Sequence, residues 1–204
     1  MSESIVLYGF GDVDRSGKVR WIARELGLDV EERRGAFGDH RKPPYTGVNP
    51  LAQIPTVLFR GETLVESTAI CQTLAESFDE PKLWVGRGEP ERPKYLFWLG
   101  AFGENVEGRL VECAVSRAGI LGPEVFAVHE KRLRARLAAI ASLLPREGHL
   151  CGQRFTVADV LAGYSLRLAV QLGLLARDAV EPYLGRLVAR EAARESRVFA
   201  SLSS

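Results

Sequence analysis

Asn49-Pro-Leu-Ala-Gln-Ile-Pro-Thr-Val57, continued by Leu58-Phe-Arg-Gly-Glu-Thr-Leu-Val-Glu-Ser67, is the stretch whose reading decides the fold. Pro55 has no N–H to give a sheet, so it stands at the start of a strand and not inside one. The apolar run that it opens to Phe59, the Arg60-Gly61 turn and Glu62–Val65 together predict an antiparallel hairpin. Ser67 then reads as the N-cap of a helix extending to about Ser77. The Ile54-Pro55 bond reads as a cis peptide. Such a bond turns the Ile54 N–H and C=O outward, toward the backbone of an extended ligand. Eleven residues after Pro55, Glu66-Ser67 meets a helix N-terminus, where free N–H groups and the helix dipole favour a carboxylate. One site therefore combines backbone pairing with a carboxylate cradle.

On the N-terminal side, Ile5–Tyr8 reads as a buried strand. Val19, Ile22, Ala23 and Leu26 follow the spacing of an amphipathic helix that stops at Gly27, and Val30 begins a second strand. Residues 35–50 are rich in Gly, Pro and basic residues and predict loop with at most a short helix. The order β-α-β-loop-β-β-α is that of a small mixed sheet covered by helices. Gly9-Phe10-Gly11 follows a strand, but Asp14 stands where a dinucleotide fingerprint needs its third glycine.

On the C-terminal side the pattern becomes helical only. Asp79–Pro93 has linker composition, with three prolines and two glycines. Helices are expected over Tyr95–Ala118, over Glu124–Leu144 and from about Pro182 to Phe199. In the second of these, Val128, Leu133, Leu137 and Ile140 are core positions between Lys131, Arg132, Arg134 and Arg136 on a solvated face. Thr156 and Asp159 form a capping box, with Phe155 and Val160 as its hydrophobic staple. The expected organisation is an α/β domain over residues 1–80, a linker over 81–93 and an all-helical domain over 94–204.

The chain has 204 residues, 46% hydrophobic and 26% charged, which is ordinary for a folded protein and excludes disordered and collagen-like classes. Twenty-seven Lys and Arg against 26 Asp and Glu leave a net charge of +1, without the basic footprint of a nucleic-acid binder. Cys71, Cys113 and Cys151 are widely spaced and odd in number, which predicts a reducing compartment and no metal site. No segment reaches the ~18 apolar residues of a membrane span, so a cytoplasmic location is expected.

These strings resemble the cytosolic glutathione transferases over nearly the whole length. They are Tyr8-Gly9, Gly17-Lys18-Val19-Arg20, Asn49-Pro50 with Gln53-Ile54-Pro55, Leu64-Val65-Glu66-Ser67-Thr68-Ala69-Ile70, and the Thr156-to-Asp159 box. His40-Arg41-Lys42-Pro43 is similar to the glycyl-binding segment of plant-type, phi-class members. The resemblance implies a thioredoxin-like α/β domain followed by an all-α domain, a homodimer, and glutathione as co-substrate. It implies that Glu66 and Ser67 hold the γ-glutamyl end and that Ile54, before a cis Pro55, pairs with the cysteinyl backbone. Gln53 with His40 or Arg41 should reach the glycyl end.

The family places a thiolate-holding hydroxyl where this chain has Val13, between Asp12 and Asp14, whose charges oppose thiolate formation. Ser16 is the nearest hydroxyl, with N-cap of the first helix as its other reading; the helix N-terminus with Arg15, or Tyr8, are further candidates. An apolar pocket for the electrophile is expected from Phe10, Val13, Trp98, Phe102 and Tyr164, with helix core as the alternative for Trp98 and Phe102. The implied reaction is conjugation of glutathione to small hydrophobic electrophiles. A glutathione-dependent disulfide reductase or peroxidase, a non-catalytic carrier and a regulatory protein are the alternatives.

Overall fold

Parallel strands β1 (Ser4–Gly9) and β2 (Asp29–Arg34) are joined by helix α1 (Ser16–Glu25), the right arrangement for strands that cannot be linked by a tight turn. Strand β3 (Thr56–Phe59) pairs antiparallel with β1, and β4 (Glu62–Val65) completes a sheet of order β2-β1-β3-β4. The β3–β4 loop is the expected two-residue turn: Arg60 and Gly61 have φ of 50° and 82°, the left-handed pair that suits a hairpin's twist. This computed structural model describes residues 3–12 and 14–202.

Side chains alternate across the sheet. Ile5, Leu7 and Val57 are buried and define the core face, with Leu7 opposite Val57 in register. Helices α1 and α3 (Ser67–Glu76) pack together over that face. Val6 and Tyr8 point the other way, and the Tyr8 ring lies 5.5 Å from that of Tyr45 on the four-residue helix α2 (Tyr45–Val48). A 3-10 turn, Asp39–Arg41, precedes α2. The arrangement is thioredoxin-like. Gly9 is required where β1 meets α1, because a Cβ there would come within 2.7 Å of Ser16 Oγ.

Two helix starts differ from the sequence reading. The N-cap of α3 is Glu66, with a positive φ of 64° and ψ of 110°, and Ser67 is the first helical residue. As the first helical residue Ser67 is not in the cap position, and its hydroxyl accepts a hydrogen bond from Lys18 Nζ at 2.9 Å. Likewise Ser16 does not cap α1: the N-cap is Arg15, Ser16 is the first helical residue, and the Asp14 carboxylate just ahead of the cap accepts the Ser16 N–H.

The chain divides into two compact units, Met1–Trp84 with Arg190–Ala200, and Val85–Ala189 with Ser201–Ser204. The expected helix over Pro182–Phe199 is therefore two: α8 (Glu181–Val188) in the second unit and α9 (Glu191–Glu195) in the first. Extended backbone at Arg190 separates them and lets its guanidinium meet the Glu25 carboxylate at 2.7 Å twice over. Helix α9 packs on α1, and Phe199 sets its ring 5.3 Å from that of buried Trp21.

In the second unit, the helix expected over Tyr95–Ala118 runs as α4 (Arg92–Gly100), a π-helical turn over Ala101–Val106, and α5 (Glu107–Arg117). Trp98, Phe102, Val106 and Leu110 are all buried and spaced by four. On an α-helix of 100° per residue that spacing drifts by about 40° at each step, and the wider π turn brings the residues back to one face. Helix α6 (Pro123–Leu143) buries Leu133, Leu137 and Ile140, but Val128 is 69% exposed and is not core. Helix α7 (Val157–Gln171) is buried over almost its whole length and starts with the expected capping box. Among the described residues no helix is long and apolar enough to cross a membrane.

Candidate functional site

The loop between α2 and β3 is fixed from beneath by polar groups. Asn49, 1% exposed, donates through Nδ2 to the Gln53 carbonyl and to Thr56 Oγ1, both at 2.9 Å, and accepts the Leu51 N–H at 2.9 Å. Tyr45 adds its hydroxyl to the Gln53 carbonyl and to Thr56 Oγ1, the latter at 2.7 Å. Burial pushes its phenol pKa up, so the hydroxyl stays a donor. These clamps present Ile54 and the cis Ile54-Pro55 bond at the end of the sheet.

Two depressions of the first unit meet at Ile54. A narrow one, about 10 Å³, is lined by Arg15, Gln53, Ile54, Pro55, Glu66 and Ser67, among others. The positive-φ turn at Glu66 delivers that carboxylate and the start of α3 to the same place. The second is a cleft of about 620 Å³, walled by Ile54, Tyr8, Phe10, His40, Tyr45 and the prolines 43 and 44. The His40 ring packs 5.2 Å from Phe10 and 5.8 Å from Phe37. Its Nδ1 is buried with no hydrogen-bond partner among the described residues. Burial, then the neighbouring Arg41 charge, holds the His40 pKa below the ordinary imidazole value, against a smaller pull from Asp39.

The structure thus brings Gln53, Ile54, Pro55, Glu66 and Ser67 together, with His40 across Ile54 from them. Gln53 sits with Glu66 and not with His40, and Arg41 is exposed and lines neither depression. Tyr8, expected in the core, lines the cleft, where its oxygen accepts a hydrogen bond from Arg33 Nη1 at 2.8 Å.

Val13 lies outside the described residues. Ser16 is wholly buried and gives its hydroxyl proton to the Gly11 carbonyl at 3.1 Å while accepting from Arg20 Nη1, so it is not presented to either depression. The two acids of the loop are already occupied. Asp14 accepts the N–H groups of Phe10 and Ser16. Asp12 is paired with Arg20 at 3.3 Å and with Arg197 at 3.1 Å.

Among the described residues of the expected apolar pocket, Phe10 lines the cleft. Trp98, Phe102 and Tyr164 are core residues of the helical unit, no more than 2% exposed, with Trp98 stacked on Phe102 at 5.5 Å. All three cysteines are buried and none is in a disulfide; burial raises the Cys113 thiol, and burial with the Asp159 charge raises Cys151 to about 11. Among the described residues no group of three or more His, Cys, Asp or Glu could hold a metal ion.

Residues 3–76 match the family described as glutathione S-transferase, N-terminal domain. A glutathione S-transferase-like protein of a Fusarium species is 30% identical over 159 residues, covering 76% of this chain and 70% of its own. The chain belongs to the glutathione S-transferase family. A glutathione S-transferase of Escherichia coli O157:H7 is 27% identical over 81% of this chain and 80% of its own. The solved structure of a glutathione transferase from Methylococcus capsulatus superposes with a TM-score of 0.82 at 25% identity, covering 98% of this chain and all of its own.

For a glutathione S-transferase, several residues of the site went unread in the sequence. Lys18 and Arg20 were part of a helix pattern, and nothing local shows that both side chains are buried beneath the site. Asn49 was part of a motif string, but its clamp on Gln53 and Thr56 depends on a loop closure that only the folded chain makes.

Proposed function

We propose that this glutathione S-transferase binds glutathione along the line Glu66–Ser67, Ile54, His40 and conjugates its thiol to a small hydrophobic electrophile. The observation that carries the reading is that Ile54 walls both depressions. A ligand held end-on in the narrow one must run past Ile54 into the wide one. In this reading the γ-glutamyl amine meets the Glu66 carboxylate, and its carboxylate meets Ser67 and the amides of α3. The cysteinyl backbone pairs with Ile54 beside Pro55, and the glycyl carboxylate reaches His40. Gln53 and Arg41 contribute less than the family pattern implies.

With Ser16 engaged and Asp14 holding the Phe10 and Ser16 N–H groups, Arg15 is the cation among the described residues lining the narrow depression. Its charge favours a thiolate over a thiol. Conjugation is then attack of the sulfur on an electrophile held close, with catalysis from the lowered thiol pKa and from proximity. The apolar contact for the electrophile in this unit is Phe10 with Phe37, whose rings lie 5.7 Å apart. Buried cysteines argue against redox chemistry by a protein thiol. A homodimer in the cytoplasm completes the reading, since two-fold pairing is the commonest soluble assembly.

Calorimetry with reduced glutathione, coupled to the ultraviolet thiolate absorbance across neutral pH, tests the reading. Expected are one-to-one binding, a bound thiol titrating below its free value, turnover of an activated aryl halide, and at least a tenfold loss of affinity in Glu66→Ala. Binding with an unshifted thiol and no turnover would leave a glutathione carrier, and absence of binding would overturn the site.

A further inference from the structure

Lys18 has no exposed surface, yet its ammonium is not among the groups that line either depression. It reaches from α1 to the first residue of α3, 49 positions further along the chain, and donates to Ser67 Oγ at 2.9 Å. An ammonium has donors only, so the direction of this bond is forced: the serine oxygen accepts. Ser67 must then give its own proton elsewhere. Among the described residues none accepts it, and Ser67 is a wall of the narrow depression.

We propose that Lys18 is a positioning residue that acts through Ser67, turning the serine into a dedicated donor for the α-carboxylate of the γ-glutamyl group. This rests on the glutathione reading above. The lysine does not touch the ligand. It fixes which way the Ser67 hydroxyl points, polarises that O–H by drawing on its lone pair, and sets a positive charge behind it in an interior that screens charge less than water does. A neutral side chain at position 18 would leave the Ser67 hydroxyl free to donate inward and to offer the ligand a lone pair. The depression therefore selects an anion, next to the Glu66 carboxylate that selects an ammonium, and the pair of them reads an α-amino-acid head group.

The test uses the full-length chain with two ligands, glutathione and 4-aminobutanoyl-Cys-Gly, which is glutathione without its α-carboxylate. The parent should prefer glutathione by at least about tenfold, the weight of one charge-assisted hydrogen bond. In Lys18→Met that preference should collapse while affinity for the decarboxylated peptide is unchanged, and Ser67→Ala should do the same. The double variant should lose no more than either single one, the non-additivity of residues acting as one unit.

If Lys18→Met weakens both ligands alike, its role is structural and the proposal fails. If it keeps the preference, the proposal also fails. Should Lys18→Met not fold, Lys18→Gln keeps a donor without the charge and must lower the preference, and Ser67→Ala must by itself abolish it. Retained preference in either overturns the idea. A parent that binds neither ligand overturns the site reading itself, a result distinct from all of these.

Discussion

Arg20 Nη2 stands 3.3 Å from Asp12 Oδ1, with the two side chains 6% and 22% exposed. The same guanidinium donates to the Gly11 carbonyl at 2.8 Å, to Ser16 Oγ at 3.1 Å and to the Ser196 carbonyl at 3.1 Å. The acidic loop after β1 is therefore compensated from within. Removing the Asp12 charge by Asp12→Asn should move the titration of bound glutathione thiol by less than about half a unit, because its field is already cancelled. Arg20→Met takes one of the cations from Asp12 and a shared donor from three acceptors, and should lower stability by about 2–3 kcal/mol. Urea unfolding and the thiolate absorbance check the two halves.

Asp159 should matter more than a helix cap. Its wholly buried carboxylate accepts hydrogen bonds from the Leu150 N–H, the Thr156 N–H, Thr156 Oγ1 and the Tyr183 hydroxyl, at 2.7 to 3.0 Å. Loss of a capping box alone costs about 1 kcal/mol. Asp159→Ala leaves four buried donors without an acceptor and should cost about 3–5 kcal/mol, read as the shift in denaturant midpoint at constant slope.

His40 gives a signed pH dependence. Its native pKa is lowered, chiefly by burial, so the unfolded chain takes up the proton more readily. Its contribution to stability is therefore present above the ordinary value of ~6.5 and lost as pH falls below it. A glycyl carboxylate at His40 favours the charged ring. Adding glutathione should then raise the imidazole midpoint seen by NMR, and affinity should increase as pH is lowered toward that midpoint. An unmoved midpoint would remove His40 from the ligand.

Cys151, held at about 11 by burial and by Asp159, is roughly one part in ten thousand thiolate at pH 7. Native protein should resist iodoacetamide at this position and become fully alkylated in denaturant. Rapid labelling of Cys151 in the native state, located by mass spectrometry, would contradict its burial.

What the sequence made legible was local chemistry. Pro55 ahead of a strand, the Arg60-Gly61 hairpin and the Thr156–Asp159 box each depend on residues a few positions apart, and each is found where it was read. The hidden features depend on tertiary neighbours. Ser67 looked like a cap because Ser at a helix start usually is one; Lys18 claims its oxygen instead. The π turn at Ala101–Val106 corrects a drift that no propensity scale records, and Val128 keeps the period of its helix but has nothing to bury against. At the site, Glu66, Ile54 and Pro55 were visible as a motif, whereas the neutralised Asp12 and the inward-facing Ser16 needed side-chain geometry.

Residues 190–200 return to the unit that holds the sheet, where Phe199 covers Trp21, Arg190 pairs with Glu25 and Val198 lies against Gly17. On the ribosome this has an order. The strands and the first three helices emerge early, but one flank of α1 stays bare until residues 190–200 have left the exit tunnel. A product terminated before residue 190 would display Trp21, wholly buried in the folded chain, to the cell's quality-control machinery.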